Sequence, residues 1–392
     1  MKLTMLGSGS YKSSLTHFRL VTLGQQLGKM GWDVSVLVPS ADKYNNFTPD
    51  KRAKLAHVEL VQPWQPATKN IIINLLPYLL TATWALLRRR PQMVYLYKPT
   101  PITIIGLVPK LLFRTPVVVD IDDLGSEVMR LEGQSPLMVK LVAGCERLAL
   151  KCASAVVVAS TYLEARVRAD YPNKPVYLMS NWVDPADYPE PQTSTPRPML
   201  YYFGALNRLA LIESFLRALP DVFAEVPNAR AQILGGGTAL AEATALAEEL
   251  GIADRVTFSG WIGKNDIHTY VRYGDIALCT QPDTPTVRAA SNLKVFQYMA
   301  MASVPVVSNV GDLPQYINAS EPKAAVGVVV PSDDVPALTE ELVRLLQYPA
   351  KRLEMAAAAR KRAVAVYALP VMAIKLQAFL QSVASKSTQE IV

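Results

Sequence analysis

The sequence predicts an α/β protein of two Rossmann-like, doubly wound domains that face a cleft. Short β-branched runs alternate with helical patterns in both halves of the chain. Between the halves, residues 184–198 (DPADYPEPQTSTPRP) hold five prolines and no apolar periodicity, which is typical of a linker. The length of 392 residues also exceeds the usual size of one domain.

These features set the expected domain boundaries. Residues 1–184 form the first Rossmann-like domain, and the proline-rich linker occupies 185–198. The second Rossmann-like domain occupies 199–370. A C-terminal helix at 371–392 could pack back on the first domain.

Composition excludes several classes of protein. Half of the residues are hydrophobic and 19% are charged, which indicates a packed globular protein rather than a disordered one. The three cysteines lack metal-ligand spacing, and only three histidines are present, so no metal site is expected. The start, MKLTMLGSGS, does not resemble a signal peptide, so a cytoplasmic location is expected.

The positive charge is unevenly distributed. Residues 1–190 hold 22 Lys and Arg against 15 Asp and Glu, whereas residues 191–392 hold 18 of each. This asymmetry indicates that the first half meets an anionic partner. Because no nucleic-acid-binding signature accompanies it, an anionic membrane surface is favoured over a nucleic acid.

The first half opens with a strand at Lys2–Leu6, the loop Gly7, Ser8, Gly9 and Ser10, and a helix at Thr16–Met30. The loop lacks a full GxGxxG dinucleotide fingerprint. Its glycines would let a ligand approach the backbone closely, and a plain tight turn is the alternative.

An uncharged segment, IIINLLPYLLTATWALL, is followed by Arg88, Arg89 and Arg90. Its length borders on a membrane span, but Pro77 and the polar residues argue against one. The preferred interpretation is an interfacial helix whose basic end faces anionic lipid. The alternative is a core helix whose basic C-terminus complements the helix dipole.

Acidic side chains follow the strand PVVVD. Carboxylates at the carboxyl end of a strand point to the edge where α/β sheets bind ligands. They could bind hydroxyl groups or transfer protons, or they could simply cap the next helix. The candidates are Asp120, Asp122, Asp123 and Glu127.

The stretch Pro282–Gly311 reads as a loop, a helix that starts near Ser291 and Asn292, a buried strand and a glycine loop. Lys294 lies in the first turn of this helix. A lysine there opposes the helix dipole, so an anionic ligand such as phosphate is expected. An ordinary surface lysine is the alternative.

With these motifs in order, the chain resembles retaining glycosyltransferases of the GT-B fold, family four. The resemblance spans nearly the whole length and is strongest in the segments FGALNR, ILGGG, RVTFSGWI and SNLKVFQYMAMASVPVVSNVG. In the first half, the glycine loop, PVVVDIDDLGSE and VYLMSNWVD are similar in type and order.

The resemblance implies a nucleotide-diphosphate sugar as donor, bound by the second domain, and a glycan or lipid-linked acceptor at the first. It implies no metal or other cofactor, because basic side chains neutralise the diphosphate. Arg208 and Lys294 match those positions, Asp122 and Asp123 would meet the acceptor, and the Gly7–Ser10 loop would border the reaction centre. Asp120 and Glu127 belong to the acceptor side. The donor-binding positions are Gly204, Gly235, Gly236, Ser291, Asn292, Leu293 and Gln297.

Two positions depart from the family pattern. The acid that usually holds the ribose is Gln297 here, and the acid that usually contacts the donor sugar is Ala289. A non-catalytic nucleotide-sugar-binding protein is therefore an alternative function, and an NAD-dependent enzyme is a more distant one. The expected location is peripheral, on the inner face of the plasma membrane.

Overall fold

The computed structural model describes residues 1–9, 17–39, 50–64, 71–188, 197–207, 212–263, 266–321 and 324–389. The chain divides into two compact units. Unit 1 comprises Met1–Ser180 with Met372–Val392, and unit 2 comprises Asn181–Val371. The C-terminal segment thus belongs to unit 1, and the residues before the proline-rich segment, from Asn181, belong to unit 2.

Unit 1 contains an eight-stranded sheet in the order β3-β4-β2-β1-β5-β6-β7-β8. All neighbours pair in parallel except β3 and β4, which form an antiparallel hairpin at the edge. The interior strands are mostly apolar and buried, as in MVYLY of β5 and AVVV of β7, because helices cover parallel sheets. The strands are β1 (Lys2–Leu6), β2 (Asp33–Leu37), β3 (Asp50–Leu55), β4 (Val58–Pro63), β5 (Met93–Tyr97), β6 (Val117–Ile121), β7 (Ala155–Val158) and β8 (Val176–Leu178).

The helices of unit 1 alternate with these strands, and several begin at a capping side chain. Ser135 Oγ accepts a hydrogen bond from the Met138 amide at 3.3 Å, and Ser160 Oγ accepts one from the Leu163 amide at 3.2 Å. A π-helical turn, His17–Thr22, precedes α1. The helices are α1 (Leu23–Lys29), α2 (Ile71–Arg89), α3 (Val108–Phe113), α4 (Gly125–Leu131), α5 (Pro136–Cys152), α6 (Thr161–Asp170) and, at the end of the chain, α15 (Leu369–Gln389).

Unit 2 contains a six-stranded sheet with only parallel pairs, in the order β11-β10-β9-β12-β13-β14. Its strands are β9 (Met199–Phe203), β10 (Arg230–Leu234), β11 (Val256–Gly260), β12 (Ile276–Cys279), β13 (Val304–Ser308) and β14 (Val328–Val330). Its helices are α7 (Glu213–Glu225), α8 (Leu240–Glu249), α9 (Ile267–Tyr270), α10 (Pro285–Ala289), α11 (Leu293–Ala300), α12 (Leu313–Tyr316), α13 (Val335–Gln347) and α14 (Pro349–Val366).

The core of unit 2 lies on both faces of its sheet. Leu200 and Tyr202 belong to one buried cluster and Tyr201 to another, because successive side chains of a strand point to opposite faces. The predicted α/β class with two Rossmann-like halves is confirmed. The predicted strand at Lys2–Leu6 agrees with β1, but the β3–β4 hairpin was not predicted.

A buried ion pair in unit 1 joins the π-helical turn to strand β6. Arg19, in the π-helical turn, donates from Nε and Nη2 to the two carboxylate oxygens of Asp120, each at 2.9 Å, and both side chains are fully buried. Tyr95 Oη donates to Asp120 at 2.7 Å. Burial opposes the charge on Arg19, but the adjacent Asp120 outweighs it and raises the pKa of the guanidinium. This pair fixes the turn against the end of β6.

Helix α2 contains the uncharged segment noted in the sequence. In the portion of the chain that the structure describes, no helix combines the length and hydropathy needed to span a membrane. The three arginines at the C-terminal end of α2, Arg88 to Arg90, differ in environment. Arg89 pairs with Asp33 and Glu59, each at 2.5 Å, whereas Arg88 and Arg90 are exposed.

Replacing Arg19 by methionine should destabilise unit 1 strongly, because it leaves the Asp120 carboxylate buried without its counter-charge. We expect a loss of about 3–5 kcal/mol in the free energy of unfolding, measured by urea denaturation. The control is Arg168→Met, which removes an exposed pair with Glu164 and should cost under about 0.5 kcal/mol. Equal effects of the two substitutions would contradict this role for Arg19.

Candidate active site

The carboxyl edge of the unit 2 sheet brings Lys294 to the backbone of β9. Asn292 caps α11, since its Oδ1 accepts a hydrogen bond from the Lys294 amide at 3.2 Å. The Lys294 ammonium donates to Tyr202 Oη at 2.7 Å. An ammonium group thus lies beside a helix N-terminus, where backbone N–H groups and positive charge both favour an anion.

The approach of Lys294 depends on a missing side chain. A Cβ at Gly204 would lie 2.3 Å from Lys294 Cε, and Gly204 has φ +143°. A Cβ at Gly235, whose φ is +156°, would lie 1.9 Å from the Gly204 carbonyl oxygen. The two glycines therefore let the ends of β9 and β10 and the lysine occupy one small region.

The next glycine, Gly236, adjoins an aromatic ring that sequence reasoning missed. A Cβ there would lie 2.8 Å from the ring of Trp261, which follows β11 and is 70% exposed. Because most of this ring is exposed, it can stack on the ring of a ligand. The signal was present in RVTFSGWI, where the aromatic residue directly follows the strand.

The remaining predicted donor-site residues are held by neighbours in unit 2. Ser291 is buried, and its hydroxyl accepts hydrogen bonds from the Asn181 amide at 2.8 Å and from Tyr316 Oη at 3.1 Å. Gln297 Nε2 donates to Tyr188 Oη at 2.8 Å. Burial raises the pKa of Tyr188 to about 12, so its hydroxyl stays protonated. Leu293 is half-buried at the start of α11.

The C-terminal end of α10, at Arg288 and Ala289, offers little to a ligand. Ala289 is fully buried. Its neighbour Arg288 is exposed and donates from Nε and Nη2 to the Asp283 carboxylate, each at 2.6 Å. The structure therefore supplies no polar side chain at position 289.

In unit 1, a second cluster of polar groups lies at the carboxyl ends of β5 and β6. Tyr97 Oη donates to Asp122 Oδ2 at 2.7 Å, and Lys98 Nζ donates to Asp123 Oδ2 at 2.5 Å. Lys98 Nζ also lies 3.1 Å from Asp122 Oδ1, so the ammonium is paired with both carboxylates. Among the described residues, no group of three or more His, Cys, Asp and Glu is arranged to hold a metal ion.

Lys98 holds this cluster together from a strained backbone position. Its φ is +51°, in the left-handed region that non-glycine residues rarely adopt. Burial lowers the pKa of Lys98, but Asp122 and Asp123 outweigh this, so the net shift is upward and the ammonium stays charged. Burial raises the pKa of Asp123 against the opposing effect of Lys98. Sequence reasoning missed Lys98, whose only signal was its place directly after a strand.

The other predicted residues of unit 1 are placed less favourably for a ligand. Asp120 is fully buried and accepts hydrogen bonds from Arg19 and Tyr95, so its carboxylate lies beneath the carboxyl edge of the sheet and is not exposed to a ligand there. Glu127 forms a surface pair with Arg130 at 2.7 Å. Gly7, Ser8 and Gly9 follow β1 at the same carboxyl edge. Ser10 and Arg208 lie outside the described residues.

Two Rossmann-like units with glycine loops and a lysine at a carboxyl edge are the arrangement of nucleotide-binding α/β proteins. Two family models then match the chain. "Glycosyl transferase 4-like domain" matches residues 18–182, and "Glycosyl transferases group 1" matches residues 197–348. The chain therefore belongs to the family-4-like glycosyltransferases of the GT-B fold.

Curated relatives match a smaller part of the chain. A GDP-mannose-dependent alpha-(1-6)-phosphatidylinositol monomannoside mannosyltransferase of Mycobacterium tuberculosis is 27% identical over 171 residues. A GDP-mannose-dependent monoacylated alpha-(1-6)-phosphatidylinositol monomannoside mannosyltransferase of Corynebacterium glutamicum is 28% identical over 172 residues. Each match covers 43% of this chain and 43% of the relative.

Solved structures of the same fold match nearly the whole chain. Sucrose-phosphate synthase from Thermosynechococcus elongatus superposes with a TM-score of 0.76 at 17% identity, covering 98% of this chain and 99% of its own. HepE of Anabaena, in complex with UDP-glucose, superposes with a TM-score of 0.68 at 14% identity, covering 97% and 100%. At such identities the likeness establishes the fold.

Replacing Gly235 by alanine should destabilise unit 2 because the new Cβ meets a backbone oxygen rather than a movable side chain. The control is Gly251→Ala, where φ is also positive (+68°) but no atom lies within 4 Å of the added Cβ. We expect the control to lose roughly 1–2 kcal/mol from backbone strain alone. Gly235→Ala should lose clearly more in thermal unfolding, and equal losses would contradict the close approach.

Proposed function

We propose that this protein transfers a sugar from a nucleotide-diphosphate donor to a lipid-linked or polysaccharide acceptor, with retention of anomeric configuration and without a metal. Family membership supports sugar transfer. The observation that carries the donor assignment is the Lys294 ammonium, which lies against Gly204 beside the N-terminus of α11.

Lys294 is proposed to bind the diphosphate together with Arg208. When the sugar–phosphate bond breaks, the leaving diphosphate gains negative charge. A fixed ammonium and oriented N–H groups stabilise that charge more in the transition state than in the ground state, and this difference accelerates the reaction. Two cations and a helix N-terminus can supply the neutralisation that a metal ion would otherwise give.

The nucleoside is proposed to lie between Gln297 and Trp261. Gln297 is fixed by Tyr188, and its amide can both donate to and accept from ribose hydroxyls, but without the charge of the family's acid. The exposed face of Trp261 would stack on the base. Ser291 supports the start of α11 through Asn181, and Asn292 orients its first turn.

GDP-mannose is the first donor to test. Two relatives carry GDP-mannose dependence and an alpha linkage in their names. Mannose is α-linked in GDP-mannose, so an α product means retention. UDP-glucose is the second donor to test, because HepE, of the same fold, was solved with it.

The acceptor is proposed to meet the polar cluster of unit 1. The Asp123 side chain is 25% exposed, and its carboxylate would accept a hydrogen bond from a sugar or lipid-headgroup hydroxyl, with Asp122 beside it on the same lysine. The Asp123 carboxylate forms an ion pair with the Lys98 ammonium at 2.5 Å. The Gly7–Ser10 loop would border the reacting bond. The proposed location is peripheral, at the inner face of the plasma membrane.

A specific observation favours a second candidate function. Ala289 is buried and Gln297 is uncharged, so neither acid of the family pattern is present. A non-catalytic protein that binds the nucleotide sugar would need neither acid. Hydrolysis or transfer of the donor by the purified protein would exclude this candidate.

The experiment compares Lys294→Ala with Lys351→Ala. Both lysines belong to unit 2 and lie over a tyrosine ring, but Lys351 is exposed beside Tyr348, away from the glycine loops. We expect Lys294→Ala to lower the transfer rate about 10²–10³-fold at an unchanged melting temperature, as the loss of one transition-state cation does. Lys351→Ala should behave as the wild type.

The preferred donor is identified by the rise in melting temperature of the wild type with each of a series of nucleotide sugars. A saturating ligand adds several kcal/mol to the free energy of unfolding. Trp261→Ala should weaken the stabilisation by the preferred nucleotide. If Lys294→Ala transfers at the wild-type rate, the donor-site assignment is wrong.

A further inference from the structure

Exposed apolar side chains are concentrated on the helices of one part of unit 1. Of the fifteen large hydrophobic side chains that are exposed among the described residues, ten lie on α2, α3, α4 and α5, and three lie in unit 2. Leu111 is 78% exposed and Leu137 is 79% exposed. A concentration of this kind marks an interaction surface. The ten are Leu76, Leu80, Trp84, Leu111, Leu112, Phe113, Leu131, Leu137, Leu141 and Leu148.

Helices α2, α3 and α5 are neighbours. The 3₁₀ turn Ile104–Leu107 contacts all three, and α2 also contacts α3 directly. On α2 the exposed residues recur every four positions, from Leu76 to Trp84, and on α5 they recur at helical spacing from Leu137 to Leu148. Helices α2 and α5 thus each pack one face toward the sheet and expose a second row of apolar side chains to solvent. We call the outward surface of α2, α3 and α5 the apolar face.

The charge on the apolar face has one sign, whereas the adjoining α4 contains Glu127 and is followed by the exposed Glu132. No exposed acidic residue occurs on the described parts of α2, α3 and α5. The acid that α5 does contain, Glu146, is half-buried and accepts hydrogen bonds from the Ser126 amide at 3.1 Å and hydroxyl at 2.7 Å. Exposed basic residues on these helices or directly after them are Arg88, Arg90, Arg114, Lys140, Arg147 and Lys151.

A basic cavity adjoins α3. It has a volume of about 580 Å³, and its lining includes Lys110 of α3 with Lys174 and Lys386. None of the described residues that line it is acidic. Burial lowers the pKa of Lys174, and the positive charge of the nearby Lys110 lowers it further. An anionic group in this cavity would relieve the repulsion.

We propose that the apolar face docks on the surface of an anionic lipid bilayer. Apolar side chains would enter the headgroup boundary, while the surrounding Arg and Lys side chains would meet lipid phosphates. A second copy of this chain fits less well, because a two-fold contact would place like charges opposite each other. The sequence pointed only to residues 71–90, whereas the structure adds α3, α5 and the basic cavity. This inference does not depend on the proposed reaction.

The test is flotation with vesicles of phosphatidylcholine alone and with vesicles in which about one third of the lipid is phosphatidylglycerol. The wild-type protein should bind the anionic vesicles and should release as salt rises from about 0.1 M to about 0.5 M. Leu111→Gln and Leu137→Gln should each weaken binding about tenfold, as expected for one leucine withheld from an apolar phase. Arg88→Gln with Arg114→Gln should weaken binding to anionic vesicles about fivefold per arginine.

Tyr348→Ser is the matched control, since Tyr348 is an exposed hydrophobic residue of unit 2. The same preparations are assayed for stabilisation by nucleotide sugars, so that a folding defect or a failed donor assignment is recognised separately. Failure of the wild type to bind anionic vesicles would overturn the proposal, as would equal binding by Leu111→Gln and Tyr348→Ser. If Leu137→Gln instead changes the oligomeric state and leaves vesicle binding intact, the face is a protein interface and the proposal is wrong.

Discussion

The candidate donor site depends on the space that Gly204 leaves empty. Lys294 Cε occupies the region where a side chain at this position would begin, and the carbonyl oxygen of Gly204 fills the equivalent region at Gly235. Two strand ends, a helix N-terminus and an ammonium therefore converge without an intervening side chain. This convergence concentrates hydrogen-bond donors and positive charge in one place, which is what the diphosphate of a nucleotide sugar requires.

The polar edge of unit 1 has a different construction. Its outermost carboxylates are held by Tyr97 and Lys98, and beneath them Asp120 is neutralised by Arg19. Burying a charge is tolerable only when it is paired and hydrogen-bonded, and each of these carboxylates has a cationic or hydroxyl partner. Paired support beneath the partly exposed Asp123 suits a surface that orients an acceptor hydroxyl.

Periodicity was sufficient for the fold, because parallel strands and their helices carry strong local patterns. It could not supply contacts between distant residues. The sequence placed Asp120 at the ligand edge, whereas Arg19, 101 positions earlier, buries it. It assigned Gln297 to the ribose without revealing the hydrogen bond to Tyr188. It also predicted that Arg88–Arg90 together form the basic end of α2, although Arg89 is paired with acidic residues of unit 1. For Lys98 and Trp261 the sequence offered one weak signal, a position directly after a strand.

The most direct test of the central claim, that the convergence at Gly204 binds the donor, is amide hydrogen exchange with and without saturating GDP-mannose or UDP-glucose. We expect slowed exchange at residues 203–206, 235–238 and 292–295, because these backbone N–H groups would face the bound nucleotide. The slowing should be lost in Lys294→Ala and kept in Lys351→Ala. Protection confined to unit 1, or protection unchanged by Lys294→Ala, would contradict the account.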